Sequence, residues 1–123
     1  MSFENAHTLH VCTSCRFREG LTMYGQHISG AHLLDDLLAK GRAMPELRVV
    51  GQECLSACDR PCAIAFSAPG KATYVFGGLD PVLSAAQIIE TATLYVRSGD
   101  GSMQRSERAP MLQATIVARV PAR

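Results

Sequence analysis

Tryptophan is absent from this 123-residue chain, and the aromatic residues amount to three tyrosines and four phenylalanines. So few rings argue against a stacking platform for nucleic-acid bases. An excess of either charge is missing too: twelve Lys and Arg stand against eleven Asp and Glu, for a net charge of +1. A field that weak gives no reason to expect nucleic acid or an anionic membrane surface as a partner. No stretch approaches the roughly eighteen consecutive apolar residues of a membrane span. The opening residues, Met1-Ser2-Phe3-Glu4-Asn5-Ala6-His7, lack the basic and then apolar regions of a secretory leader, so a cytoplasmic protein is expected. The length allows one domain, residues 1–123, and is too short for two full cores. Hydrophobic residues make up 47%, enough to fold without metal or disulfide staples and too many for disorder.

Five cysteines are what the chain has in unusual supply. In a reducing compartment five thiols do not read as a disulfide framework, which leaves metal binding or redox chemistry, with buried packing as the bland alternative for any one of them.

Their placement depends on the elements around them. His7 to Cys12 alternates and carries β-branched residues, which predicts a strand ending at the cysteine. From Ser29 the period changes: Leu33, Leu34, Leu37 and Leu38 mark one helix face, with Ser29 as N-cap and Lys40-Gly41 at the end. Leu47 to Val50, Ala63 to Phe66 and Thr73 to Phe76 read as strands, the last two joined as a hairpin across Ser67-Ala68-Pro69-Gly70-Lys71. Asp80-Pro81 predicts a second helix, running through Leu83, Ala86, Ile88 and Ile89 to Tyr95 or Val96. Arg16 to His27 reads as loop, and Met103 to Arg123 as an extra helix or an arm.

On this frame the cysteines form a pair and a triplet. Cys12-x2-Cys15 sits where the first strand ends; after a gap of thirty-eight residues come Cys54-x3-Cys58-x3-Cys62, between two predicted strands. In an open α/β layout both loops can lie at one end of the sheet. Clustered thiolates repel, and a metal ion or cluster neutralises them. Two loops that each supply a close pair can build a four-coordinate thiolate site for zinc or iron–sulfur. Cys15 is followed by Arg16 and not by His, which excludes c-type haem attachment. The four histidines (His7, His10, His27 and His32) are not spaced as ligands, save His27 and His32 around a helix start, and read as surface or half-buried side chains. No catalytic acid–base pair is evident, so an enzyme is not the first expectation.

The run Glu53-Cys54-Leu55-Ser56-Ala57-Cys58-Asp59-Arg60-Pro61-Cys62 resembles the second ligand loop of thioredoxin-like 2Fe–2S ferredoxins, a family that includes the small cluster subunit of respiratory complex I. The whole chain is similar to small bacterial proteins described as predicted metal-binding, the DUF1636 family. The similarity rests on Cys12-x2-Cys15, Glu53-Cys54-Leu55-Ser56-x-Cys58, Pro69-Gly70-Lys71, Tyr74-x-Phe76-Gly77, Leu79-Asp80-Pro81 and the ending Ala118-Arg119-Val120-Pro121. This resemblance implies a thioredoxin-like α/β fold with a mixed sheet of about four strands, two flanking helices and a C-terminal arm. It further implies a 2Fe–2S cluster held by Cys12, Cys15, Cys54 and Cys58, one-electron transfer to redox partner proteins, and a homodimer. The ferredoxins space their first pair more widely than Cys12 and Cys15, and have no counterpart of Cys62. That fifth thiol could replace Cys15, sit behind the ligands, or pack. Arg60 could offset cluster charge, or be an ordinary solvated cation. Two other readings stay open: a thiol/disulfide oxidoreductase using Cys12 and Cys15, and a zinc- or cobalt-binding protein without redox function.

Overall fold

The structure, a computed structural model, describes residues 7–13, 23–24, 27–52, 62–80 and 83–121, with the backbone alone for 23–24 and 27–30. The first strand, β1 (His7–Cys12), has the expected bounds, and Leu9 and Val11 are buried on one of its faces. Two short strands, β2 (Met23–Tyr24) and β3 (His27–Ile28), pair as a separate ribbon inside the segment expected to be loop. Helix α1 (Ser29–Gly41) buries Leu33 and Leu37, as its spacing predicts, and leaves Leu38 exposed. β4 (Leu47–Gln52), β5 (Ile64–Ser67) and β6 (Thr73–Phe76) follow, and then helix α2 (Ala85–Arg97).

The main sheet has five strands in the order β4-β1-β5-β6-β7, one more than expected. β1 runs parallel to β4, with α1 as the crossover, and antiparallel to β5. The extra strand is β7 (Ile116–Val120), which pairs antiparallel with β6 across a register shift between Val75 and Phe76. Two single turns of 3-10 helix, Arg105–Glu107 and Pro110–Leu112, lead into it along α2. There α2 side chains hold the chain: Thr91 Oγ1 accepts from the Ala109 N–H at 3.2 Å, and Gln87 Oε1 from the Met111 N–H at 2.8 Å. The C-terminal arm is thus an edge strand.

Helix α2 starts later than Asp80-Pro81 predicts. Asp80 does cap a turn, since its Oδ1 accepts the Leu83 N–H at 2.9 Å and its carbonyl the Ser84 N–H at 3.1 Å. The regular helix opens only at Ala85, which sets the buried stripe to Ala85, Ile88, Thr91, Ala92 and Tyr95. Leu83, expected on the apolar face, is 67% exposed.

Both helices pack on the face of the sheet that carries Leu9, Val11, Ile64 and Phe66. Tyr95 of α2 stacks on Phe66 at 5.5 Å and donates its hydroxyl to the Ala72 carbonyl at 2.6 Å. The opposite face carries the cross-strand row Val50, His10, Ala65, Val75 and Ala118, small or polar for the most part. Side chains alternate between these two faces along each strand.

Candidate metal centre

Cys12 is the last residue of β1, and the strands on either side both reach it. In the parallel pairing with β4, Cys12 stands beside Gln52. On the other flank its N–H donates to the Ala63 carbonyl at 3.0 Å, continuing the β1–β5 register. The chain that leaves the sheet at Gln52 therefore returns at Cys62 on the opposite side of Cys12. Burial sets this register: Val11 pairs with Ile64 and Leu9 with Phe66, and a slip of β5 by one residue would turn Ile64 and Phe66 out of the core.

The departure point is fixed by Thr13. Its N–H and its Oγ1 both donate to the Gln52 carbonyl, at 2.7 and 3.1 Å. Gly51, one residue earlier, makes the close approach of α1 possible: a Cβ there would lie 2.8 Å from Leu34 Cδ2 and 3.0 Å from Thr13 Cγ2. The return point is fixed by a reciprocal pair, Cys62 N–H to the Leu79 carbonyl and Leu79 N–H to the Cys62 carbonyl, both 3.2 Å. This pair is one residue out of step with the β5–β6 register. Gly78 absorbs the extra residue at a φ of +77°, where a side chain would be strained.

Both described cysteines are buried, Cys12 at 1% exposure and Cys62 at 0%. Burial pushes the Cys62 thiol up to about 12, with the nearby charges of Cys12 and Asp80 adding to the shift. At neutral pH Cys62 is therefore a protonated thiol. Cys15, Cys54, Cys58 and Arg60 lie outside the described residues. Among the described residues no three His, Cys, Asp or Glu side chains are grouped to hold a metal ion. Of the expected site residues, then, the structure brings Cys12 and Cys62 to one place.

A polar chain beside Cys12 was not legible from spacing. The Gln52 amide donates to His10 Nδ1 at 3.3 Å, which puts the neutral ring's proton on Nε2, and that N–H donates to Ser67 Oγ at 2.9 Å. Burial lowers the His10 pKa, which favours the neutral ring. His10 stands two residues before Cys12, on the same face, and its partner Gln52 stands two residues before Cys54.

The chemistry of the site fits a metal held by thiolates. Cys12 is buried at the strand end where the 52–62 connection begins and closes, and soft sulfur donors suit zinc or iron–sulfur.

Residues 9–122 match the family described as "Protein of unknown function (DUF1636)". The chain belongs to the DUF1636 family. Solved structures place this DUF1636 protein in a wider fold group. A thioredoxin-like [2Fe-2S] ferredoxin from Aquifex aeolicus superimposes with a TM-score of 0.56 at 13% identity, covering 92% of this chain and 91% of that one. The wild-type protein in a crystal structure at 1.5 Å gives 0.52 at 11% identity, covering 91% and 96%. Likeness at such identity is one of fold, and the fold of this DUF1636 protein is thioredoxin-like. No curated protein matches the sequence.

Proposed function

We propose that this DUF1636 protein is a thiolate-ligated metal protein, and that its metal is a 2Fe–2S cluster used for one-electron transfer. The observation that carries the reading is the meeting of both cysteine loops at Cys12: one begins there, and the other leaves from Gln52 and returns at Cys62. Four thiols on two such loops, Cys12 and Cys15 with Cys54 and Cys58, match the donor number of a 2Fe–2S centre. Fold likeness to ferredoxins supports the choice of iron over zinc. Two of the matching ferredoxin structures carry single Cys-to-Ser changes four positions apart, the separation of Cys54 and Cys58 here.

The chain's own residues would hold and orient the group. Thr13 pins the Gln52 carbonyl, His10 the Gln52 amide, and Leu79 the return at Cys62, so both ends of the second loop are anchored without any metal. Purification without oxygen, followed by iron, sulfide and zinc analysis and an absorption spectrum, tests the proposal. About two irons and two sulfides per chain with a ferredoxin-like visible spectrum are expected for a full 2Fe–2S site. A colourless chain that holds one zinc overturns the cluster assignment.

A further inference from the structure

We propose that Arg108 is the core of an oxyanion site, where a phosphate, a sulfate or a carboxylate binds at the edge of its guanidinium and Arg105 supplies a second positive charge. Arg108 is 6% exposed, and arginine is almost never buried to that degree unless it is paired. It stands between the two 3-10 turns and over Phe76, with the guanidinium carbon 5.5 Å from the ring centroid. A ring interacts with the cation through its face and gives the N–H groups no acceptor oxygen. Nη2 donates to the Gln113 carbonyl at 3.3 Å, a long bond, and the buried Nε has no partner among the described residues. One distant carbonyl thus serves a group whose geometry suits two acceptors held side by side, as an oxyanion holds them.

The charge is unmatched as well. Among the described residues no carboxylate pairs with Arg108, and Glu107, its neighbour in the chain, accepts the Gln104 N–H at 3.2 Å instead. Burial lowers the Arg108 pKa, Tyr74 opposes that shift, and the charge of Arg105 adds to it. A guanidinium keeps its proton all the same, so two cations repel each other with one of them out of water. An anion relieves that repulsion and satisfies the free Nε together. Arg105 is exposed and gives the anion its approach, and the Gln113 carbonyl is the group it displaces. The site uses no cysteine, so its test is independent of the metal reading.

The test follows the arginine Nε–H signals of the full chain by nuclear magnetic resonance. Sodium phosphate, sulfate or acetate replaces sodium chloride at constant ionic strength. Absence from Arg108→Lys identifies the Arg108 signal, which should shift saturably with at least one oxyanion. The tightest of the three names the ligand class. Arg105→Gln, at an exposed position, should raise the half-saturating concentration by roughly two- to fivefold, the weight of one exposed charge. Melting temperature is the second readout, and it decides if Arg108→Lys does not fold. The oxyanion that binds should raise it more in wild type than in Arg105→Gln. An Arg108 signal unmoved by all three oxyanions overturns the site. So does an equal rise in melting temperature in the two chains, which is what general salt exclusion from the surface produces.

Discussion

Lys71 is a charged residue that the fold holds through three hydrogen bonds. Its ammonium donates to the Tyr95 and Val96 carbonyls, both at 3.0 Å, so it caps the end of α2, and to His7 Nε2 at 2.7 Å. Because Nε2 accepts, the ring proton of His7 sits on the buried Nδ1. Burial lowers the His7 pKa, and the Lys71 charge lowers it further against a smaller upward pull from Glu46. A histidine whose folded pKa lies below its unfolded value of 6.5 supports the fold while neutral. That support is present above pH 6.5 and is lost as the pH falls below it toward the folded pKa. Melting temperature should therefore decline on acidification below about pH 6.5. His7→Gln should flatten the decline in part, because burial lowers the pKa of His10 as well. A variant whose melting curve against pH superimposes on the wild type would show that the contact with Lys71 has no such role. None of these contacts is legible in the sequence, since His7 and Lys71 stand sixty-four residues apart and meet only through the sheet.

Among the elements, those with a strong periodic signal are the ones whose bounds were readable. β1 and β6 alternate, α1 repeats its leucines at helical spacing, and all three have the expected limits or face. β7 escaped because the cue is missing: Ile116-Val117-Ala118-Arg119-Val120 lies at the sheet edge, mostly exposed, so burial wrote no alternation into it. β2 and β3, two residues each, are too short to carry a pattern. Helix α2 was recognised by its capping signal, but the signal belongs to a preceding turn, and the shift in phase put Leu83 in solvent. Ile88 is the position that tests the corrected phase, since it is fully buried in the core cluster. Ile88→Ala should cost about 2–5 kcal/mol in unfolding by urea, the range for emptying a core site of this size. Leu83→Ala should change the midpoint little, as expected of an exposed side chain. Equal losses from the two would mean that the helix is rotated from the orientation described.

At the scale of the whole molecule, the described core is built from the sheet, both helices and the C-terminal turns. The core runs from Leu9 and Val11 through Phe66 and Phe76 to Ile88, Tyr95 and Leu112, all apolar or aromatic. Zinc fingers, by contrast, fold only when metal is bound. On the proposed reading, removing the metal with a chelator should leave the far-ultraviolet circular dichroism close to that of the loaded form and the unfolding cooperative. Collapse of the spectrum on chelation would show that the metal holds the fold together. That Cys12 ends a strand was legible from the alternation of β1, but the return of the chain beside it at Cys62 was not, because it depends on the register of β5 and on the extra residue at Gly78. One more consequence lies in the order of synthesis. β1 is made first, yet both of its neighbours, Leu47–Gln52 and Ile64–Ser67, come later in the chain. On a ribosome adding roughly 5–20 residues per second, the strand waits roughly 3–10 seconds between the translation of Cys12 and that of Ser67. The first sulfur to be made is thus among the last to be walled in, and the nascent chain spends that interval with it open to stray metal and oxidant.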